Sequence, residues 1–177
     1  LLPLLFLLSC IAMGFGVVVI EGSLTTRYLG RAPETEMVAG LASAMRPLLL
    51  LYLGIRLIDI TVRGQLAALF AFDLYSVMAL IEMGLFAAVL VLLATDARRR
   101  HLGNLFRAAM ILVLAGALYR FDTFLVAFQP GPHWSYFPSV TEILISAGLV
   151  AGEVAGYIIL IKFFPIIAGE ARPVAAR

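Results

Sequence analysis

Five apolar runs, at about 1–20, 37–60, 74–93, 105–128 and 139–164, are each long enough to cross a bilayer as a helix. A hydrocarbon core about 30 Å thick takes roughly 20 helical residues. Lipid offers no water to satisfy an open backbone, so spanning segments are helices or closed barrels. The chain lacks the alternating pattern of barrel strands, which leaves helices. The expected fold is all-α transmembrane, one helical bundle of about five membrane-spanning helices forming a single domain over 1–177. The segment 66–72 is apolar but too short to cross, and reads as an interfacial or re-entrant turn into the third span.

Composition agrees with this reading. Hydrophobic residues make up 63% and charged residues 14% of the chain, where soluble domains carry roughly 25% charge. A net charge of +2 spread over loops gives nucleic acid nothing to grip. The single cysteine, Cys10, has no partner for an internal disulfide. The two histidines, His101 and His133, both fall in predicted loops, so paired helix histidines for a transmembrane b haem are not expected. The sole lysine, Lys162, sits at a helix end, which argues against a retinal protein. Residues 1–20 have neither a basic leader nor a small-residue cleavage site, so we expect a span at the cut edge of a longer protein, not a signal peptide.

Arginine placement sets the expected orientation. Arg27 and Arg31, then Arg98, Arg99, Arg100 and Arg107, then Lys162 and Arg172, alternate properly between spans and would face the cytoplasm. The opposite side has Arg63 and a loop, 129–138, without Lys or Arg. The N-terminus is expected outside and the C-terminus inside.

That orientation turns a list of misplaced charges into a location. Arg56, Asp59, Glu82, Arg120 and Asp122 all sit inside apolar runs. A charge at membrane depth costs ~2.5–3.5 kcal/mol on insertion scales and usually faces protein or water. Arg56 and Asp59 share a face of the second span and can pair. Glu82, Arg120 and Asp122 fall at a similar depth on the outer side. Glu142 starts the fifth span there, beside His133, Trp134 and Tyr136. Glu153 lies near the middle of that span and suits either a proton relay or a hydrogen-bonded packing role. Ser139 and Glu142 form a capping box, and Gly148, Gly152 and Gly156 make a packing seam for another helix.

Arginines, exchangeable protons and aromatic walls at one depth suit a quinone: its carbonyls need donors and its redox chemistry needs proton acceptors. Two rival readings stay open. One is half of a transporter or ion channel, which would place its charges at the midplane on broken helices. The other is a structural membrane anchor whose ion pairs only lock helices together.

The motifs Tyr119-Arg120-Phe121-Asp122 and 130–143, with its Tyr-Phe-Pro-Ser run ahead of Glu142, resemble the NrfD/polysulfide-reductase membrane subunit family. Its HybB-type members in periplasmic nickel–iron hydrogenases are the most alike. The run Tyr52 to Asp59, followed by Arg63-Gly64, matches a further pattern of that family. The resemblance implies the C-terminal bundle of a protein about twice as long, whose N-terminal half is a partner. It implies a subunit without haem or iron–sulfur cluster, exchanging electrons between membrane quinone (menaquinone or ubiquinone) and a periplasmic iron–sulfur subunit of a hydrogenase-like enzyme. Arg56, Asp59, Glu82, Arg120, Asp122 and Glu142 would be its polar core, with His133 in the covering loop and Glu153 as a proton link inward.

Overall fold

The computed structural model describes residues 1–29, 35–128, 130–131 and 136–163. Its long helices are α1 (Leu2–Leu29), α2 (Thr35–Val62), α3 (Leu74–Leu92), α5 (Leu102–Phe121) and α6 (Val140–Phe163). A short helix, α4 (Asp96–Arg99), joins α3 to α5. Five helices are long and apolar enough to cross a membrane, so the expected all-helical, five-span class is met.

Helix ends differ from the apolar boundaries for local reasons. Helix α1 runs beyond residue 20 to Leu29, because no proline interrupts the polar stretch from Glu21 to Arg27 and a single glycine, Gly22, does not break it. Helix α3 starts on Asp73, whose carboxylate accepts from the Ser76 amide at 2.8 Å. Hydrogen bonds from Ser76 hold the Asp73 carboxyl below its ordinary range. Helix α5 starts at Leu102, capped by His101 Nδ1 accepting from the Asn104 amide at 3.3 Å. Its far end widens into a π turn, Asp122–Val126. The segment between α2 and α3 leaves α2 through Gly64, whose φ of 65° is left-handed, and carries only a 3-10 turn, Ala68–Phe70.

The chain divides into two units, Leu1–Ser135 and Tyr136–Arg177. In the first, α5 is the central element and packs against α1 and α3, while α1 also packs on α2. Its buried face is small: Ala108, Ala109, Ala115 and Gly116 are all sealed. Small residues let backbones close up where lipid offers no hydrophobic drive for helix association. Gly116 is the tightest point, since a Cβ there would fall 2.6 Å from Met13 Cγ on α1. Larger side chains, among them Tyr52, Phe86, Leu112 and Tyr119, fill the remaining core. In the second unit, Glu142 accepts from the Ser139 amide at 2.7 Å and its hydroxyl at 2.9 Å, forming the capping box that opens α6.

Candidate functional site

Helix α2 carries Tyr52 and Arg56 at i and i+4, on one face, and both turn toward α3. There Glu82 is completely buried. The Tyr52 hydroxyl donates to Glu82 Oε1 at 2.5 Å, and Arg56 Nη2 lies 3.5 Å from Glu82 Oε2. A buried carboxylate needs a charge partner and donors to offset its lost hydration, and α2 supplies both. Phe86 and Tyr119 wall the pair, with ring centroids 4.5 and 5.7 Å from that of Tyr52.

The end of α5 completes the cluster. Tyr119 is fully buried and Asp122, the first residue of the π turn, is 6% exposed. Arg56 acts electrostatically on Glu82, Tyr119 and Asp122. Three buried polar atoms, Arg56 Nε, Glu82 Oε2 and Asp122 Oδ1, have no hydrogen-bond partner among the described residues. Nearly all buried polar atoms in folded proteins are paired, so three such atoms together single this cluster out as a candidate site. π turns are themselves frequent at functional sites.

Arg56 also faces outward. It lines a cleft of about 490 Å³ with Asp59, Arg63, Ser76 and the apolar side chains of Leu5, Ile60 and Leu69. Small-molecule clefts run to roughly 300–1,000 Å³, mostly apolar with a few placed polar groups. Arg56 thus both lines this cleft and reaches the buried Glu82.

Among the candidates read from sequence, the structure gathers Arg56, Glu82 and Asp122. Asp59 is at the cleft, but the expected Arg56–Asp59 pair is not formed. Asp59 accepts from Arg63 Nε at 2.8 Å, one helical turn on, while the buried Glu82 draws Arg56 inward. Arg120 does not meet an acid among the described residues. Its guanidinium turns to α1, donating to Cys10 Sγ at 2.7 Å, Met13 Sδ at 2.9 Å and Gly116 O at 2.7 Å, and stacks over Phe6 at 4.7 Å. Glu142 and Glu153 belong to the second unit, and His133 lies outside the described residues. Glu142 there accepts from Tyr136, which pushes the Tyr136 hydroxyl above its ordinary range. Among the described residues no group of His, Cys, Asp and Glu is placed to hold a metal ion.

The two tyrosines were not singled out as site residues. An aromatic in an apolar span has no periodic signature of its own. The available signal was position: Tyr52 is one turn before Arg56, and Tyr119 is three residues before Asp122.

Along 168 residues, 94% of this chain, it is 39% identical to the probable Ni/Fe-hydrogenase 2 b-type cytochrome subunit of Escherichia coli (strain K12), covering 43% of that protein. A second relative, from Nitratidesulfovibrio vulgaris and named only as a protein, is 30% identical over 176 residues and 45% of its length. The chain thus spans less than half the length of the curated relatives it matches. No protein-family model matches, and no solved structure matches. With five spans and a membrane cytochrome as relative, the chain is an integral membrane protein.

Two expectations are corrected by these relatives. The match is to a b-type cytochrome subunit, and the assignment to the NrfD/polysulfide-reductase family and its HybB-type members does not stand. The motifs behind it, paired charges near span ends and a capped aromatic loop, meet needs common to helical membrane subunits and do not discriminate among them. The expectation of a subunit without haem falls for the same reason. It rested on that resemblance, and on the lack of helix histidines in a chain that covers less than half the length of its relatives.

Proposed function

We propose that this chain is part of the membrane electron-transfer subunit of a nickel–iron hydrogenase complex, and that its α2–α3 cleft takes the headgroup of a membrane quinone. The observation that carries the reading is Arg56, which lines an amphipathic cleft and also pairs with the fully buried Glu82. The 39% identity to a hydrogenase cytochrome subunit over nearly the whole chain supports the setting.

Reducing a quinone takes two electrons and two protons, and oxidising the quinol returns them. In this reading the electrons pass between the quinone and an iron–sulfur subunit that serves the hydrogenase catalytic subunits. The guanidinium of Arg56 donates to a quinone carbonyl and stabilises the charge that develops there. Tyr52, Glu82 and Asp122 hold and pass protons behind it. The polar cluster then belongs at the periplasmic face, as the arginine distribution implies.

The relative's name brings a b haem with it, whose chemistry is one-electron transfer between carriers. Among the described residues, three candidate axial ligands are already committed elsewhere. His101 is exposed and caps α5, and the sulfurs of Cys10 and Met13 are both engaged by Arg120. No step here passes through a haem.

The test is quinone-linked turnover of the purified complex with Arg56→Gln, together with extraction and identification of bound quinone. The reading expects an assembled variant with its KM for quinone raised at least tenfold and its bound quinone lost. Full activity and retained quinone in the variant would put the headgroup elsewhere and leave this cluster as a helix lock.

A further inference from the structure

At the end of α2 that begins with Thr35, a second cavity of about 260 Å³ opens against α4, lined by Glu36, Gly40, Ser43, Asp96, Arg99 and Arg100. This is the arginine-rich side of the first unit. Arg99 is fully engaged: it pairs with Asp96 and donates to the Leu93 carbonyl at 2.7 Å. Glu36 and Arg100 face the same cavity and form no salt bridge with one another or with any other described residue. The Ser43 hydroxyl donates to Ala39 O at 3.0 Å, which leaves its lone pairs as acceptors. The helix face at Gly40 is open, since a Cβ there would meet nothing within 4 Å. The apolar Met37, next to Glu36 on α2, is 52% exposed.

We propose that this cavity seats the headgroup of a phospholipid with a primary ammonium, its phosphate on Arg100 and its ammonium on Glu36 and Ser43 Oγ. Two acids against two arginines make the lining neutral as a whole, which disfavours a purely anionic headgroup. The unpaired members have opposite signs and separate places, which is the charge pattern of a zwitterion. A quaternary ammonium has no N–H to donate, and no aromatic residue lines the cavity to hold one by cation–π contact. Met37, beside Glu36 on α2, then offers the acyl chains an exposed apolar side chain.

The experiment is native mass spectrometry of the full-length protein in its complex. It is delipidated, then exposed to matched vesicles of phosphatidylethanolamine, phosphatidylcholine or phosphatidylglycerol, or to soluble glycerophosphoethanolamine. We expect phosphatidylethanolamine to be retained about fivefold over the other two lipids, ~1 kcal/mol on the tenfold-per-1.4 scale, and the soluble headgroup not to displace it. Arg100→Gln and Glu36→Gln, both at exposed positions, should each erase that preference. Equal retention of the three lipids, preference for phosphatidylglycerol, or displacement by the soluble headgroup would overturn the assignment. The wild-type comparison does not depend on the variants folding.

Discussion

Tyr52 on α2 donates its hydroxyl to Glu82 on α3 at 2.5 Å, with both side chains sealed inside the helix bundle. Arg56 then reaches the other oxygen of the same carboxylate from the wall of the cleft. The result is a continuous path of polar contacts from an open cleft to a buried acid, across two helices. Tyr119, whose ring packs on Tyr52, and Asp122 lie buried at the end of α5 and the start of the π turn.

Removing one partner of that pair should be costly and unequal. Tyr52→Phe leaves Glu82 with one donor fewer, for about 1–3 kcal/mol. Glu82→Ala strands Arg56 beside a hole, for about 3–5 kcal/mol. Unfolding of the purified protein in mixed micelles, titrated with denaturing detergent, measures both. Equal costs for the two variants would mean that Arg56 does not depend on Glu82.

Gly116 should tolerate no side chain while Met13 is in place. Gly116→Ala puts a methyl onto the Met13 thioether and pushes α1 from α5, at ~1–3 kcal/mol as for other overpacked cores. Met13→Ala in the same chain should recover most of that loss. Thermal stability of the two single variants and the double variant decides it, and no recovery in the double would place the strain elsewhere.

Arg120 should matter first as a clamp between α5 and α1. Its guanidinium holds Cys10, Met13 and Phe6 together, so Arg120→Leu should expose the Cys10 thiol and raise its maleimide labelling several-fold. Arg120→Lys should rescue only in part, because an ammonium cannot present the guanidinium's forked donors to two sulfurs at once. Unchanged labelling in Arg120→Leu would show that the contact does not shield the thiol.

Asp73 should give α3 a pH-dependent start. Its carboxyl is held below the ordinary range by Ser76, so the folded state binds a proton less readily than the unfolded chain. The stabilisation is therefore complete above the unfolded value, about 3.9, and is lost as pH falls through the lower folded value. Asp73→Asn keeps a capping oxygen without the charge and should remove this acid-side loss. Melting temperatures of wild type and variant from neutral pH downward check it; parallel curves would contradict it.

Periodicity-free apolar runs were enough to read five spans, because length alone meets the demands of the bilayer. Helix ends were less legible, since a helix continues past the hydrocarbon wherever nothing breaks it, as α1 does to Leu29. Depth brought Arg56, Glu82 and Asp122 to one place on paper, and the structure gathers those three. Partner choice was not readable. Asp59 faces two arginines, at i−3 and i+4, and only the burial of Glu82 on another helix determines which one is left for it. Arg120 was expected to seek an acid, yet packing turns it to sulfur atoms on α1, a long-range contact that spacing cannot reveal. Family resemblance misled because its motifs encode general membrane chemistry.

The most direct measurement is hydrogen-dependent quinone reduction by the purified, fully assembled complex carrying Glu82→Gln, which keeps the shape of the side chain and removes its charge and proton. General acid–base groups contribute about 10²–10⁴-fold, so the account predicts normal assembly with turnover reduced at least about a hundredfold. An assembled Glu82→Gln complex with unchanged turnover would contradict it.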